Sequence, residues 1–214
     1  MAIQKAGVYE KIMLSARKEF LEKGFTGASL RTISKNAGVT TGTIYSRFED
    51  KTALFEEIVG EHAKKIVSIY NNGIDSYYNF NPEDKYSKMN DLTVDCISLM
   101  LDVIYGDYEC SKILICSSKG TCYENFIHEM IQKEVDSTED FARTMYKLGK
   151  IEDEENLDKG LFHMIASGFM SSFFEIVAHD MDRKVAERRI ALLRKFYTGG
   201  WSCLFNVDIE HSGR

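Results

Sequence analysis

Residues 24–48 read GFTGASLRTISKNAGVTTGTIYSRF, and this stretch decides the fold of the N-terminal part of the chain. Apolar residues recur at helical spacing on both sides of Gly38, with Ile33 and Ala37 before it and Ile44 and Phe48 after it. Glycine accepts the left-handed backbone conformation of a tight turn, so the pattern predicts two short helices joined at Gly38. Such a helix-turn-helix unit places its second helix in the major groove of DNA.

The helices around this unit follow from capping residues and breakers. A first helix is predicted over residues 7–23, ended by Gly24. Ser29, Thr40 and Asp50 each precede an apolar periodic run and are predicted N-caps, the last two for helices over 41–48 and from residue 51 onward.

The rest of the chain also has helical periodicity, and no run alternates as a strand. Its single proline, Pro82, is predicted to break the chain between two helices. The predicted helices of this part cover residues 51–77, 85–105, 109–116, 122–147, 155–179 and 183–205. The fold is therefore predicted to be all-α, with a helix-turn-helix domain at 1–50 and a larger helical domain at 51–214.

Charge is unevenly distributed along the chain, whose net charge is −6. Residues 1–55 hold nine Lys/Arg and five Asp/Glu, a net of +4, whereas the remainder holds 18 and 28, a net of −10. This distribution predicts that only the N-terminal part approaches nucleic-acid phosphates.

Several other classes of protein are not indicated. The N-terminus lacks a signal-peptide pattern, and the apolar stretch 164–178 is predicted to be too short and too polar to span a membrane. The five cysteines form no C-x-x-C pair, which predicts reduced, buried thiols in the cytoplasm and no metal. Catalytic motifs such as G-x-S-x-G, H-E-x-x-H and the P-loop are missing, so neither an enzyme nor a bound cofactor is expected.

The run quoted above, followed by Lys51 and by Leu54-Phe55, resembles the TetR/AcrR family of bacterial transcriptional regulators over about residues 6–60. The resemblance implies a nine-helix homodimer with an N-terminal DNA-binding domain and a C-terminal domain that senses a small molecule. It also implies a dimer interface formed by the last two helices.

Residues for DNA binding are expected on and beside the second helix of the unit, where short polar groups reach bases and phosphates. The resemblance assigns phosphate contacts to Tyr45 and Lys51 and a capping role to Thr40. Thr41 and Ser46-Arg47 depart from residues common in the family, so no relative's operator can be transferred. The complete predicted set is Arg31, Thr40, Thr41, Gly42, Thr43, Tyr45, Ser46, Arg47 and Lys51.

An apolar ligand pocket with a few polar anchors is expected in the larger domain. Each candidate is an aromatic, methionine or histidine residue of a predicted helix, although core packing is the more common role of such residues. The candidates are Tyr70, Met100, Tyr105, Phe126, Met130, Phe162, His163 and Phe169.

Residues 161–177 are apolar around almost the whole helix, which predicts burial on all sides. Small residues on one face would allow a partner helix to approach closely. A two-fold dimer would place two recognition helices roughly 34–36 Å apart and would require a palindromic operator. The interface candidates are Met164, Ser167, Gly168, Ser171, Ser172 and Trp201.

The favoured interpretation is a cytoplasmic, ligand-responsive repressor. An all-helical small-molecule carrier or enzyme without a DNA role is an alternative, but it leaves the basic N-terminal part unexplained. An activator or a nucleoid-associated factor would retain DNA binding, and the sequence does not separate these from a repressor.

Overall fold

The computed structural model describes residues 2–151 and 158–205, and the side chains of all of these except residues 2–6 and 86. Over these ranges the chain is helical and contains no strand, as the sequence predicts. The helices are α1 (Ala2–Gly27), α2 (Leu30–Ala37), α3 (Thr41–Tyr45), α4 (Lys51–Tyr78), α5 (Pro82–Gly106), α6 (Tyr108–Cys116), α7 (Phe126–Lys147), α8 (Lys159–Ala178) and α9 (Arg183–Phe205).

The described chain forms two compact units. Unit 1 comprises Met1–Ile66 and Val103–Phe126, and unit 2 comprises Val67–Asp102 and Ile127–Arg214. Unit 1 therefore holds α6 in addition to the segment expected from the sequence. The functional boundary predicted at residue 50 stays a prediction.

The core of unit 1 is built on the apolar face of α1. Ile12, Ala16 and Phe20 recur every four residues and are fully buried, as helical periodicity requires. Gly24 has a φ of +66°, so the regular helix ends after Lys23 as predicted and Phe25 turns back onto the core. The rings of Phe20, Phe25 and Phe55 then pack together with centroids 5.0–6.2 Å apart.

Helix α6 is attached to α1 by an ion pair. Both terminal nitrogens of Arg17 donate to the two carboxylate oxygens of Asp107, at 2.9 and 2.8 Å. One of these oxygens also accepts from the Cys110 amide at 3.1 Å, so Asp107 is the N-cap of α6. The Asp107 carboxylate therefore both caps the N-terminus of α6 and binds this end of the helix to α1.

Helix α8 contributes several fully buried residues to the core of unit 2. Phe162, Phe173, Phe174 and Val177 of α8 are at most 2% exposed. The helix has 20 residues and is apolar enough to pass a length-and-composition test for a membrane span. The sequence-based judgement that the segment is too short and too polar was therefore wrong. Length and composition alone are weak evidence for a span, since a core helix has the same features.

Three further expectations are corrected. Pro82 begins α5 instead of lying in a break before it, because proline lacks the N–H that the first turn of a helix leaves unbonded. The recognition helix α3 ends at Tyr45 and not at Phe48. Cys110 is buried and Cys96 half-buried, whereas Cys116, Cys122 and Cys203 are exposed, so the prediction of five buried thiols was wrong.

Candidate nucleic-acid interface and cavities

The turn of the helix-turn-helix unit has the predicted geometry. Gly38 adopts the left-handed conformation (φ +68°, ψ +32°), and its amide donates to carbonyls at the end of α2. The Val39 amide donates to the Ser34 carbonyl at 2.9 Å, which closes the turn. A side chain at Gly38 would meet no neighbouring atom, but L-residues are strained at this φ.

The two helices beside the turn are capped differently. Thr40 caps α3 as predicted, because its hydroxyl accepts from the Thr43 amide at 3.2 Å. Ser29 stands at the predicted N-cap of α2, but its side chain makes no capping bond. The buried carboxylate of Glu19 instead accepts from the amide of Ser29 itself at 3.1 Å, so a residue of α1 satisfies the backbone N–H that precedes α2.

Helix α3 separates a core face from an exposed face. Ile44 is fully buried and Phe48 is 7% exposed, whereas the intervening Tyr45 is 57% exposed. We call the exposed or half-buried polar groups on and beside α3 the recognition surface. Its members are Arg31, Thr40, Thr41, Gly42, Thr43, Tyr45, Ser46 and Arg47.

Lys51, the remaining predicted DNA contact, binds backbone carbonyls of the same chain. Its ammonium donates to the carbonyls of Phe25 at 2.6 Å and Ala28 at 3.0 Å, and lies 4.5 Å from the Phe25 ring centroid. These contacts bind the first turn of α4 to the chain that leaves α1. A phosphate contact by Lys51 stays a prediction, and sequence reasoning missed this capping role.

Two adjoining cavities lie within unit 2. The tyrosine cavity, of about 100 Å³, includes Tyr70, Tyr77, Cys96 and Phe173 in its lining. The arginine cavity, of about 120 Å³, includes Arg194 and Trp201. The two share five lining residues, Met89, Thr93, Glu134, Thr138 and Phe169.

Only part of the predicted pocket set lines these cavities. Tyr70, Met100 and Phe169 do, and Phe169 belongs to both. The other candidates do not: Phe162 and Met130 are buried in the core of unit 2, His163 packs edge-on against His128 with ring centroids 6.0 Å apart, and Tyr105 and Phe126 belong to unit 1.

Glu134, which the sequence analysis missed, is the charged residue that both cavities share. Its carboxylate accepts a hydrogen bond from the Tyr70 hydroxyl at 2.5 Å. Burial raises the pKa of Glu134, and the Tyr70 hydrogen bond only partly opposes this rise. The sequence gives one weak signal for it, a lone acidic residue between the apolar positions Ile131 and Val135 of α7.

The predicted interface residues lie on α8 and α9, which pack against each other. Met164 is 71% exposed and Ser171 is exposed, whereas Ser167, Gly168, Ser172 and Trp201 are half-buried. Two further apolar side chains of α9, Leu192 at 63% and Phe196 at 75%, are also exposed. Their spacing of four residues was a signal in the sequence that the prediction did not use.

These features define a helical protein with an N-terminal helix-turn-helix domain and a separate cavity-bearing unit. Residues 12–58 match the family described as bacterial regulatory proteins, tetR family. The match covers the helix-turn-helix part of the chain and the first turns of α4.

Curated relatives resemble the chain over its N-terminal part. It is 44% identical over 57 residues to the HTH-type transcriptional repressor BepR of Brucella suis, a match that covers 27% of each chain. It is 32% identical over 60 residues to the HTH-type transcriptional repressor AcnR of Corynebacterium diphtheriae, covering 28% of this chain and 32% of that one. The matches thus span about a quarter to a third of these relatives.

Solved structures resemble the chain over most of its length. A TetR-family regulator from Streptomyces coelicolor superposes with a TM-score of 0.58 and 14% identity, covering 88% of this chain and 90% of that one. PfmR, a TetR-family regulator from Thermus thermophilus, gives a TM-score of 0.53 at 15% identity and covers 86% and 97%. At such identities the likeness concerns the fold alone, and it is that of TetR-family regulators.

Proposed function

We propose that the chain is a cytoplasmic, sequence-specific DNA-binding transcriptional regulator, a repressor released from its operator by a small molecule. The observation that supports this most directly is the division of α3 into a buried face at Ile44 and an exposed polar face around Tyr45. A helix whose apolar face packs on the core can present short polar groups on its opposite face to the major groove.

Within the recognition surface, Tyr45 donates its hydroxyl to a phosphate oxygen. Thr41, Thr43, Ser46 and Arg47 lie close enough in sequence to share base and phosphate contacts. The remaining members, Arg31, Thr40 and Gly42, contact phosphate or allow the DNA backbone to approach. Lys51 has a positive charge beside this surface, but its contacts to carbonyls make phosphate binding its secondary role in this proposal.

The regulator acts as a homodimer through α8 and α9. Exposed apolar side chains of this size cost free energy in water, and Met164, Leu192 and Phe196 are each more than 60% exposed. A second copy that covers them would remove this cost. The dimer would read a palindromic operator, because two-fold symmetry repeats the recognition surface.

The small molecule binds in the cavities of unit 2. Helix α4 begins in unit 1, where Lys51 binds the end of α1, and continues into unit 2 to Tyr78 beside Tyr77 of the tyrosine cavity. Release requires that the effector bind the DNA-free state more tightly, by about 1–3 kcal/mol for a typical coupling. No catalytic step is part of this proposal.

The decisive experiment is a selection from random-sequence DNA with the purified full chain, followed by titration of the selected site. Tyr45→Phe removes one hydroxyl, and we expect about three- to tenfold weaker binding, as for the loss of one hydrogen bond. Tyr78→Phe is the matched control, since Tyr78 is also exposed, at 46%, but lies far along α4.

Enrichment of a palindrome, with weaker binding by Tyr45→Phe alone, would support the proposal. Failure to enrich any site would contradict sequence-specific binding and favour the small-molecule carrier. Equal affinity of Tyr45→Phe and wild type would contradict only the phosphate contact.

A further inference from the structure

The tyrosine cavity has an unusual combination of a single ionisable carboxyl with aromatic and sulfur-containing groups. Among the described residues that line this cavity, Glu134 is the one Asp, Glu, Lys or Arg, and four of the others are aromatic. Soft thiol and thioether groups contribute much of the remainder, and burial raises the pKa of the Cys96 thiol to about 11. The aromatic and sulfur-containing lining residues are Tyr70, Tyr77, Phe169, Phe173, Met89, Cys96, Met100 and Met170.

Glu134 lacks a cationic partner among the residues that the structure describes. Its hydrogen bond comes from the neutral Tyr70 hydroxyl, and no lysine or arginine of the described residues forms an ion pair with it. A carboxylate in such a place is costly unless it is protonated or paired with a cation. The site therefore has capacity for one positive charge.

A second carboxylate on the same helix shows what a complete site of this kind looks like. Asp140 accepts from the Tyr77 hydroxyl at 2.8 Å and from the Lys85 ammonium at 2.6 Å. That ammonium, on a buried side chain, lies 4.2 Å from the Tyr77 ring centroid and 5.4 Å from that of Tyr78. Carboxylate, tyrosine hydroxyl and aromatic faces thus hold a buried ammonium inside unit 2.

Glu134 and Tyr70 repeat the carboxylate and hydroxyl of that arrangement, and both line the tyrosine cavity. We infer that the tyrosine cavity binds an organic cation, a ligand with one ammonium group on an apolar body, whose charge pairs with Glu134. This inference rests on the proposed function in taking unit 2 as the ligand-sensing part of the regulator. The apolar body lies against the rings and thioethers of the same cavity.

An anionic ligand fits this cavity less well. An anion would need a cationic side chain, and Arg194 lines the arginine cavity but not the tyrosine cavity. The Arg194 guanidinium donates to the Asn90 side chain at 2.5 Å. A carboxylate ligand placed in the tyrosine cavity would lie beside the Glu134 carboxylate, and two like charges repel.

Three probes of one carbon skeleton test the charge preference by isothermal titration calorimetry on the full chain without DNA. They are 4-phenylbutylammonium, 4-phenylbutan-1-ol and 4-phenylbutanoate. We expect the cation to bind at least about tenfold more tightly than the alcohol, and the carboxylate to bind most weakly.

Glu134→Gln retains the shape and an acceptor for Tyr70 but removes the charge. We expect it to reduce the preference for the cation over the alcohol to within about twofold. Glu129→Gln is the matched control, since it removes the same charge from an exposed position of α7 outside the lining of both cavities and should leave the preference intact.

Equal binding of cation and alcohol by the wild type, tighter binding of the carboxylate, or no binding of the cation would each overturn the inference. If Glu134→Gln fails to fold, the relative affinities of the three probes for the wild type are sufficient to test the inference. Because these titrations contain no DNA, their failure is distinct from a failure to select an operator.

Discussion

At the scale of single residues, Lys51 shows how a motif position can have more than one role. The family resemblance assigns it to a phosphate, whereas its ammonium contacts the Phe25 and Ala28 carbonyls and the Phe25 ring. Carbonyl oxygens at the end of a helix lack intrahelical donors, so a lysine there satisfies groups that are otherwise unbonded. Sequence reasoning could not find these contacts, because Ala28 lies 23 positions and Phe25 lies 26 positions before Lys51 in the chain.

We predict that Lys51→Gln lowers the free energy of unfolding by about 1–3 kcal/mol, as expected for hydrogen bonds from a charged group. Urea denaturation at a fixed protein concentration measures this change. Lys64→Gln is the control, since Lys64 is an exposed lysine of α4 paired only with Glu61 in its own helix. An unchanged urea midpoint for Lys51→Gln would show that the capping contacts contribute nothing.

At the scale of elements, the Arg17–Asp107 ion pair joins α6 to α1, and Glu109 of α6 lies 3.9 Å from the same guanidinium. Burial alone would raise the pKa of Asp107, but hydrogen bonds from Arg17 and the Cys110 amide outweigh it and lower the pKa. A carboxylate with a lowered pKa stabilises the fold fully above its unfolded pKa, about 3.9, and loses this contribution as pH falls through its folded pKa.

We therefore predict that Arg17→Met lowers the melting temperature most near pH 7 and progressively less below about pH 4. Thermal unfolding of wild type and variant from pH 7 down to about pH 2 gives the comparison. Lys18→Met is the control, because Lys18 pairs weakly with Glu22 at 4.0 Å on the exposed side of α1. A deficit that stays constant across the range would contradict the ion pair as the cause.

The packing of α8 on α9 depends on a glycine. A Cβ added at Gly168 would lie 2.7 Å from the Tyr197 hydroxyl oxygen, closer than such atoms approach. The sequence analysis assigned Gly168 to close approach of a partner subunit, whereas the structure places this close neighbour within the same chain. A role of Gly168 in the dimer interface stays a prediction, in addition to its close approach to Tyr197.

We predict that Gly168→Ala destabilises the chain by about 1 kcal/mol, because the Tyr197 ring must shift. In a Tyr197→Phe background the same change should become neutral or stabilising, since alanine is intrinsically the better helix former by about 1 kcal/mol. Urea denaturation of the four proteins completes the double-mutant cycle. An identical effect in both backgrounds would rule out the hydroxyl as the obstacle.

At the scale of the whole molecule, the exposed apolar residues of α9 determine the proposed assembly. We predict that Phe196→Glu converts a dimer to a monomer in analytical ultracentrifugation, because the new charge would be buried at the interface. Leu99→Glu is the control, since Leu99 is also exposed, at 52%, but lies on α5. A chain that sediments as a monomer without substitution would contradict the dimer itself.

The sequence by itself determined the all-helical class, the turn at Gly38 and the caps at Thr40 and Asp50. These features depend on neighbours within four residues, so local periodicity and capping chemistry were sufficient. Local chemistry also indicated which face of α3 is buried. The same reasoning placed the end of the regular first helix correctly at Gly24.

Tertiary structure decided the features that join distant positions. Glu19 of α1 accepts from the Ser29 amide before α2, Lys51 donates to the carbonyls of Phe25 and Ala28, and α6 joins the N-terminal unit through Asp107. The cavity lining differed most from expectation, since Glu134 was missed and five of the eight candidates lie elsewhere. A residue's periodicity shows that it faces inward, but only the packing of several helices determines whether it meets another side chain or an open cavity.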